Sequence, residues 1–408
     1  MHRVVVTGMA GLSSLGHDWA SIKSAMQAGK SGIVCMEQWR QYEGMNTLLA
    51  GPVEFTRPTH YSRKQIRSHG RVSLMATRAT EMALARAGLL GAACLSDGST
   101  GIAYGSSIGS TPPITAFAAM LERQDCSKIT ATSYIQMMGH TTCVNVSLFF
   151  GLKGRVIPTS SACTSGSQAI GYAYEAIKYG HQKVMLAGGA EELCPTEAAV
   201  FDTLYATSTR NDTPQLTPRP FDSGRDGLVI GEGAATLVLE SYEHAKARGA
   251  TILAELVGFG TNCDGAHVTS PTSQTMEVAM RLALNSANLE PAAIDYVSAH
   301  GTATEQGDIA ESHATARVFG QQVPVHSLKS YFGHTLGACG ALEAWLGIEM
   351  MNDGWFAPTL NLNERDPRCA ELDYLVGEGR VMDVQHWMTN NFAFGGINTS
   401  LVFNRFQE

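Results

Sequence analysis

The sequence lacks the patterns that would assign a membrane protein, a disulfide scaffold or a nucleic-acid binder. No apolar run approaches the roughly 18 residues of a membrane span, and the run at Val4–Val6 is too short for a signal-peptide core. The nine cysteines are odd in number and contain no CxxC pair. Acidic residues outnumber basic ones, 37 to 29, which argues against a general nucleic-acid binder. We therefore expect a cytoplasmic protein with no membrane span, metal site or nucleic-acid partner.

Strand-like and helix-like runs alternate along the 408 residues, and the alternation begins again after about residue 250. This pattern is typical of an α/β fold with helix-covered sheets. The second round suggests two similar halves that pack tightly, because no long linker separates them. We predict one half at residues 1–249 and the other at residues 250–408.

Cys163 occupies a short segment of small residues between two predicted elements. The strand-like Val156-Ile157 precedes it, and a helix-like run from Ser167 to Tyr179 follows it. Unpaired N–H groups and the macrodipole of a helix start favour negative charge, so they would stabilise a thiolate there. A lone cysteine is more often buried and inert. A nucleophilic role for Cys163 therefore requires chemical partners elsewhere in the chain.

Two of the thirteen histidines lie where such partners are expected. His300 follows the predicted strand Ile294–Ser298, and His334 follows the predicted strand Val323–Ser327. Active sites of α/β sheets form at the carboxyl ends of strands. Taken singly, each histidine is more often structural, but with Cys163 at a third strand exit they make a convergent set.

A glycine-rich turn at residues 390–398 follows a fourth predicted strand, and its backbone N–H groups could serve an oxyanion hole. With these features together, the chain resembles the β-ketoacyl-acyl carrier protein synthases over essentially its whole length. The motifs that carry the resemblance, in chain order, are Ser160–Gly166, Ala187–Glu191, Arg219–Asp222, Arg225–Gly227, His300–Thr302, Gly333-His334 and Phe394–Gly396.

The resemblance implies a thiolase-like fold with five layers, αβαβα, and two pseudo-symmetric halves. It also implies an acyltransferase that carries out a decarboxylative Claisen condensation. Cys163 matches the residue that holds the acyl chain, and His300 and His334 match the two catalytic histidines. Malonyl-acyl carrier protein would supply the carbanion, so that the chain grows by two carbons to a 3-oxoacyl-carrier protein.

The same resemblance assigns supporting residues around the histidines. Lys329 and Glu343 match a lysine and an acid of the family, and with Asp308 and Glu311 they could form a charge network that orients His334. The backbone N–H groups of Cys163 and Phe394 match the oxyanion hole. Cys339, five residues after His334, is interpreted as helix packing and not as the second cysteine of a thiolase.

Further positions match the sites of the acyl carrier protein and its phosphopantetheine arm, which carries the substrates without a bound cofactor. The hydroxyl residues matched to the arm are Thr269, Ser270, Thr302 and Thr304. The residues matched to the gate of the acyl pocket are Ile108 and Phe394. The basic residues matched to carrier docking are Arg63, Lys64 and Arg67, extended by Arg71.

Two departures from the family pattern leave the pathway open. Ala393 stands where the family has a glycine, and Ile397 stands where it has a threonine. The main alternative is therefore the active subunit of a specialised polyene (aryl polyene-like) or type II polyketide pathway, paired with a chain-length partner that lacks the cysteine. A thiolase is opposed by His334, and a non-catalytic chain-length subunit is opposed by Cys163. The family implies a dimer, either a homodimer or a heterodimer.

Overall fold

The computed structural model describes all 408 residues. The strands β1 to β16 are, in chain order, Val4–Leu12, Val34–Cys35, Leu49–Gly51, Thr100–Gly105, Val156–Thr159, Val184–Glu191, Ile230–Gly231, Gly233–Ser241, Ala254–Cys263, Tyr296–Ser298, Pro324–His326, Trp355–Phe356, Asp373–Tyr374, Arg380–Val381, His386–Phe392 and Ile397–Asn404. The α-helices α1 to α12 are Trp19–Gln27, Arg71–Arg86, Ile114–Arg123, Ala131–Met137, Thr141–Phe150, Ser165–Lys178, Pro195–Asp202, Tyr242–Ala247, Ser273–Ala287, Glu305–Phe319, Lys329–Phe332 and Cys339–Asp353. None of these helices is long and apolar enough to cross a membrane.

Eleven of the strands form one hydrogen-bonded sheet in the order β13-β11-β10-β15-β16-β9-β1-β8-β6-β4-β5. The first six strands of this order come from the second half of the chain, and the last five come from the first half. The two sets meet at β1 and β9, where Val4 pairs with Leu256 in an antiparallel register. The halves are therefore joined by backbone hydrogen bonds as well as by packing.

Helices α6 and α12 pack against each other and against strands of both halves, so they form the central layer. Helix α12 is buried along nearly its whole length. Helices α2 and α5 cover the outer face of the first set of strands, and α9 and α10 cover that of the second. This order of layers confirms the predicted αβαβα arrangement.

The two central helices begin in the same way, which is a sign of the repeated half. A 3₁₀ turn at Ala162–Thr164 leads into α6, and a 3₁₀ turn at Leu336–Ala338 leads into α12. Ala162 has φ +52° and Leu336 has φ +44°, both in the left-handed region that non-glycine residues rarely adopt. The proposed boundary at 249/250 lies in the connection between α8 and β9 and stays a prediction.

The structure contains several helices that the sequence did not predict. Helices α3, α4, α5, α7 and α11 are absent from the sequence-based prediction. Helix α5, Thr-Thr-Cys-Val-Asn-Val-Ser-Leu-Phe-Phe, is built from β-branched and aromatic residues with low helix propensity. Packing against α2 and the sheet decides its conformation, which the local sequence does not reveal.

Candidate active site

Cys163 lies at the 3₁₀ turn that precedes α6, directly beyond the end of β5. The turn is tied together locally: the Ser161 N–H donates to the Ser165 hydroxyl at 2.9 Å, and that hydroxyl donates to the Ala162 carbonyl at 2.7 Å. Ala162 holds a strained backbone conformation, which is common where a reactive side chain must be aimed. The thiol is 4% exposed.

His334 is in direct contact with this thiol, with Nε2 2.9 Å from Sγ of Cys163. On the other side of the ring, the Leu336 N–H donates to Nδ1 at 3.3 Å. A neutral imidazole carries one proton, so an Nδ1 that accepts a hydrogen bond leaves the proton on Nε2. The Nε2–H of His334 therefore points at the sulfur as a donor.

His300 lies beside His334, with ring centroids 5.1 Å apart and planes at 87°. It follows β10, and its backbone is fixed by Glu311, whose carboxylate accepts the N–H groups of His300 and Gly301 at 2.7 Å each. Asp308 similarly accepts the N–H groups of the next two residues at 3.1 Å. The prediction that Asp308 and Glu311 orient His334 is wrong, because both carboxylates hold the loop of His300.

Lys329 and Glu343 form a buried ion pair with an N–O distance of 2.5 Å. The second carboxylate oxygen of Glu343 accepts the side-chain N–H of Asn391 at 2.7 Å, and that amide nitrogen is 3.3 Å from Nδ1 of His300. Burial opposes charge on Lys329, but the carboxylate of Glu343 outweighs it and raises the pKa of the lysine. Asn391 thus connects the ion pair to His300 by hydrogen bonds.

The titration behaviour of the three central side chains follows from their burial. Burial, and then the positive charge of Lys329, lowers the pKa of both His300 and His334 well below the ordinary value, so both rings are neutral at pH 7. Burial also raises the pKa of Cys163 to about 11. Burial thus outweighs the effect expected from the helix start, and the sulfur is a thiol at pH 7 instead of the expected thiolate.

The turn between β15 and β16 lies over the thiol. The side chains of Ala393 and Phe394 pack against the buried cluster that contains Cys163. Backbone N–H groups of Phe394 and of Cys163 itself oppose part of the rise that burial causes in the pKa of the thiol. The Phe394 ring packs edge-on against Phe201 at 5.5 Å. Ala393 adopts an ordinary φ, and its N–H donates to the Ile397 carbonyl at 2.8 Å, so alanine causes no strain there.

A cavity of about 470 Å³ opens onto these groups. Residues that line it and were predicted as site residues are Cys163, His300, His334, Phe394, Thr269, Ser270, Thr302 and Thr304. The structure does not bring Ile108 to this cavity, and its side chain is partly exposed. Cys163, His300 and His334 have donor atoms within 4.8 Å of one another, a set that could also hold a soft metal ion such as Zn²⁺.

The residues predicted to dock the carrier protein do not line this cavity. Arg63, Lys64 and Arg67 are exposed in the turn that precedes α2. Arg71, which extended this group in the sequence, is not available for docking because it forms an ion pair with Glu232 at 2.5 Å. Only the first three residues stay candidates for a carrier surface.

Two buried residues close to the reacting groups were missed by the sequence interpretation. Asn391 was noted only as part of the glycine-rich turn, but it lies inside β15, one residue before the end of that strand. Its place directly after the fourth predicted strand was the available signal. Glu191 ends β6 and accepts the N–H groups of Ser107 and Gly337 at 2.7 and 3.0 Å. It thereby fixes the start of α12 next to His334, which no sequence spacing revealed.

The chain matches two family models, the "Beta-ketoacyl synthase, N-terminal domain" over residues 1–245 and the "Beta-ketoacyl synthase, C-terminal domain" over residues 253–363. It is 39% identical to 3-oxoacyl-[acyl-carrier-protein] synthase 2 of Vibrio harveyi over 414 residues, covering 100% of this chain and 99% of that one.

Solved structures of ketosynthases are also similar to this chain. A beta-ketoacyl synthase from Burkholderia phymatum STM815 is 63% identical with a TM-score of 0.99, and each chain is covered completely. A ketosynthase solved with a type II PKS acyl-carrier protein and bound to the hexaketide is 31% identical with a TM-score of 0.87, again over both whole chains. The chain therefore belongs to the β-ketoacyl synthase family and is a ketosynthase of the acyltransferase class.

Proposed function

We propose that the chain extends an acyl group held on Cys163 by two carbons, using malonyl-acyl carrier protein in a decarboxylative Claisen condensation. The observation that carries the proposal is the contact between Nε2 of His334 and the Cys163 sulfur, with His300 beside it in a cavity. A nucleophile and two neutral N–H donors around one cavity suit the formation of an enolate next to a thioester.

In the first step, the Cys163 sulfur attacks the carbonyl carbon of an acyl thioester on the carrier. The N–H groups of Cys163 and Phe394 stabilise the oxyanion, a contribution that is worth roughly 3 kcal/mol per donor in comparable sites. The carbon–sulfur bond to the carrier then breaks, and the proton of the thiol ends on the departing phosphopantetheine sulfur. The Nε2–H of His334 favours the sulfur as it becomes negative.

In the second step, the malonyl group loses carbon dioxide, and the electron pair of the broken bond forms an enolate. The Nε2–H groups of His300 and His334 donate to the enolate oxygen. The carbanion carbon attacks the acyl carbonyl on Cys163, the carbon–sulfur bond breaks, and the sulfur takes up a proton from solvent. The product is a 3-oxoacyl-carrier protein that is two carbons longer.

The substrate arm and its carrier fit this scheme without a resident cofactor. Hydroxyl groups along the cavity suit the amides of a phosphopantetheine arm; those of Thr302 and Thr304 lie 2.9 Å apart, and Thr269 and Ser270 line the same cavity. Exposed Arg63, Lys64 and Arg67 suit an acidic carrier protein. We assign Lys329 and Glu343 a supporting role, since they reach His300 through Asn391.

A second candidate is the active subunit of a specialised polyene or type II polyketide pathway, with a chain-length partner that lacks the cysteine. The similarity to a type II PKS ketosynthase favours it, whereas the higher identity to a 3-oxoacyl-[acyl-carrier-protein] synthase 2 favours fatty-acid synthesis. A thiolase reaction is less suited to the site, because the Cys339 thiol donates to the Cys163 carbonyl at 3.2 Å instead of facing the cavity.

The test is a condensation assay with malonyl-carrier protein and acyl-carrier donors that differ in length and unsaturation. Mass spectrometry of the carrier should show a 3-oxoacyl product two carbons longer than the donor, and the preferred donors distinguish saturated fatty acids from polyenes. His334→Ala should lose decarboxylation of malonyl-carrier protein by roughly 10²-fold or more and lose acylation of Cys163 less. Absence of any extended product with every donor would contradict the proposed reaction.

A further inference from the structure

Asn391 is completely buried near the end of β15 and stands between the ion pair and His300. Its side-chain nitrogen is 2.7 Å from Glu343 and 3.3 Å from Nδ1 of His300. Glu343 already accepts from Lys329 through its other oxygen. A carboxylate only accepts hydrogen bonds, so the group that Asn391 presents to it is the NH₂.

The NH₂ group has two hydrogens, and beyond Glu343 its nitrogen lies 3.3 Å from Nδ1 of His300 and 3.6 Å from Sγ of Cys339. The ring nitrogen is the nearer and stronger acceptor, since a thiol sulfur accepts weakly, so the second hydrogen faces His300. Because Nδ1 of His300 accepts this hydrogen, the proton of the neutral ring belongs on Nε2, on the side of Cys163 and His334. We propose that Asn391 is a positioning residue that sets the tautomer of His300, so that its Nε2–H is available to the enolate. This inference rests on the proposed function for the role of that N–H.

The same Nε2–H tautomer is thus set in the two histidines by different hydrogen-bond donors to Nδ1. For His334 the donor to Nδ1 is the backbone N–H of Leu336, which no side-chain substitution removes. For His300 the donor is a side chain. The tautomer of His300 can therefore be changed by mutation while that of His334 is left in place.

The surroundings of Asn391 fit a residue held in one orientation. Its carbonyl oxygen has no hydrogen-bond partner, so the orientation is not set from that end. Gly340 of α12 lies against it, and a Cβ there would come within 2.5 Å of that oxygen. Its main-chain carbonyl accepts the Thr399 hydroxyl at 3.2 Å across the β15–β16 pair. The strand therefore presents the amide to Glu343 and His300.

Asn391→Asp is the sharpest test, because it replaces the NH₂ by oxygen at nearly constant volume. A carboxylate beside Nδ1 can only accept, so the ring proton should move to Nδ1. Decarboxylation of malonyl-carrier protein should fall about 10²-fold, and acylation of Cys163 should change much less. Asn391→Leu, which removes the donor to Glu343, His300 and Cys339 without adding a charge, should weaken decarboxylation in the same direction.

Asn390→Asp is the matched control, since it buries the same new carboxyl one residue earlier on the same strand. The Asn390 oxygen accepts the Ser400 hydroxyl at 2.7 Å, away from His300. Melting temperatures of the variants show whether each has folded. Ring ¹⁵N spectra of histidine-labelled protein, assigned with His300→Ala, should show the Nε2–H form in wild type and in Asn390→Asp, and the Nδ1–H form in Asn391→Asp.

The outcomes separate this inference from the proposed function. If wild type fails to decarboxylate malonyl-carrier protein, or His300→Ala decarboxylates as fast as wild type, the proposed function is wrong, and the ring spectra still decide the tautomer. If both controls behave as expected but Asn391→Asp decarboxylates like Asn390→Asp, or keeps the Nε2–H form, the role of Asn391 is overturned. A parallel loss of acylation and decarboxylation also overturns it.

Discussion

At the scale of single residues, the site is defined by protonation states. The Cys163 sulfur is a buried thiol, and two neutral rings donate toward the space around it. In the proposed reaction, the thiol therefore ionises during acyl transfer and not before it, and the donors around it would stabilise the negative charge as it forms. A resting thiol is also less prone to oxidation than a thiolate would be.

His69 offers a pH test of the fold that is independent of catalysis. Both ring nitrogens are buried without a hydrogen-bond partner, and burial lowers the pKa of His69 to about 4. Because the folded pKa lies below the unfolded value of about 6.5, the unfolded chain binds more protons. The stability contributed by neutral His69 is present above pH 6.5 and is lost as pH falls toward 4.

We expect wild type to lose about 2 kcal/mol more unfolding free energy than His69→Phe between pH 7 and pH 5. Urea unfolding at the two pH values measures this difference. His181→Phe, at an exposed histidine, is the control and should follow wild type. Identical pH dependence in wild type and His69→Phe would contradict the assignment of a buried neutral ring.

At the scale of elements, the sequence predicted the strand exits well and the contacts between them less well. His300 and His334 follow the neighbouring parallel strands β10 and β11, whose carboxyl ends lie at the same edge. Cys163 follows β5 at the opposite end of the sheet order, and it meets the histidines because the 3₁₀ turns that begin α6 and α12 pack together. Asp308 and Glu311 were placed beside the wrong histidine, because spacing along α10 does not show which loop its first turns meet. Asn391 was missed since its partners lie 48 and 91 residues away.

Removing one partner of the ion pair between Lys329 of α11 and Glu343 of α12 should lower the free energy of unfolding. Lys329→Met leaves a buried carboxylate without its counter-charge and should destabilise the fold by about 3–5 kcal/mol. The double variant Lys329→Met/Glu343→Leu should be closer to wild type in stability, because no charge is left unpaired. Both should be impaired in decarboxylation through Asn391.

Thermal unfolding compares the three proteins. Lys23→Met, which removes a half-exposed ion pair with Asp353, is the control and should cost about 1 kcal/mol or less. A double variant that is less stable than Lys329→Met would show that the pair stabilises through more than charge compensation.

At the scale of the whole molecule, one end of the large sheet is open. Strand β5 forms that edge and carries the exposed Val156, and α5, which packs on the same strand, carries the exposed Leu148. An exposed apolar sheet edge is a ready surface for a second chain. The other end of the sheet, at β13, belongs to the half that carries the histidines.

We expect the chain to associate as a dimer through the β5 edge. The double variant Leu148→Glu/Val156→Lys should shift the mass measured by analytical ultracentrifugation from two chains of 43.6 kDa to one. Val381→Glu, at a still more exposed apolar residue on β14, is the control and should stay dimeric. A wild-type monomer that dimerises only with a ketosynthase-like partner lacking the cysteine would favour the heterodimeric pathway.

The central claim is that Cys163 carries the growing chain, and intact-protein mass spectrometry after incubation with acyl-carrier protein tests it most directly. Wild type should gain the mass of one acyl group, released by hydroxylamine as a thioester is. Cys163→Ala should gain none, whereas Cys339→Ala, at the neighbouring buried thiol, should gain the same mass as wild type. An unmodified wild type, or an equal adduct on Cys163→Ala, would contradict the account.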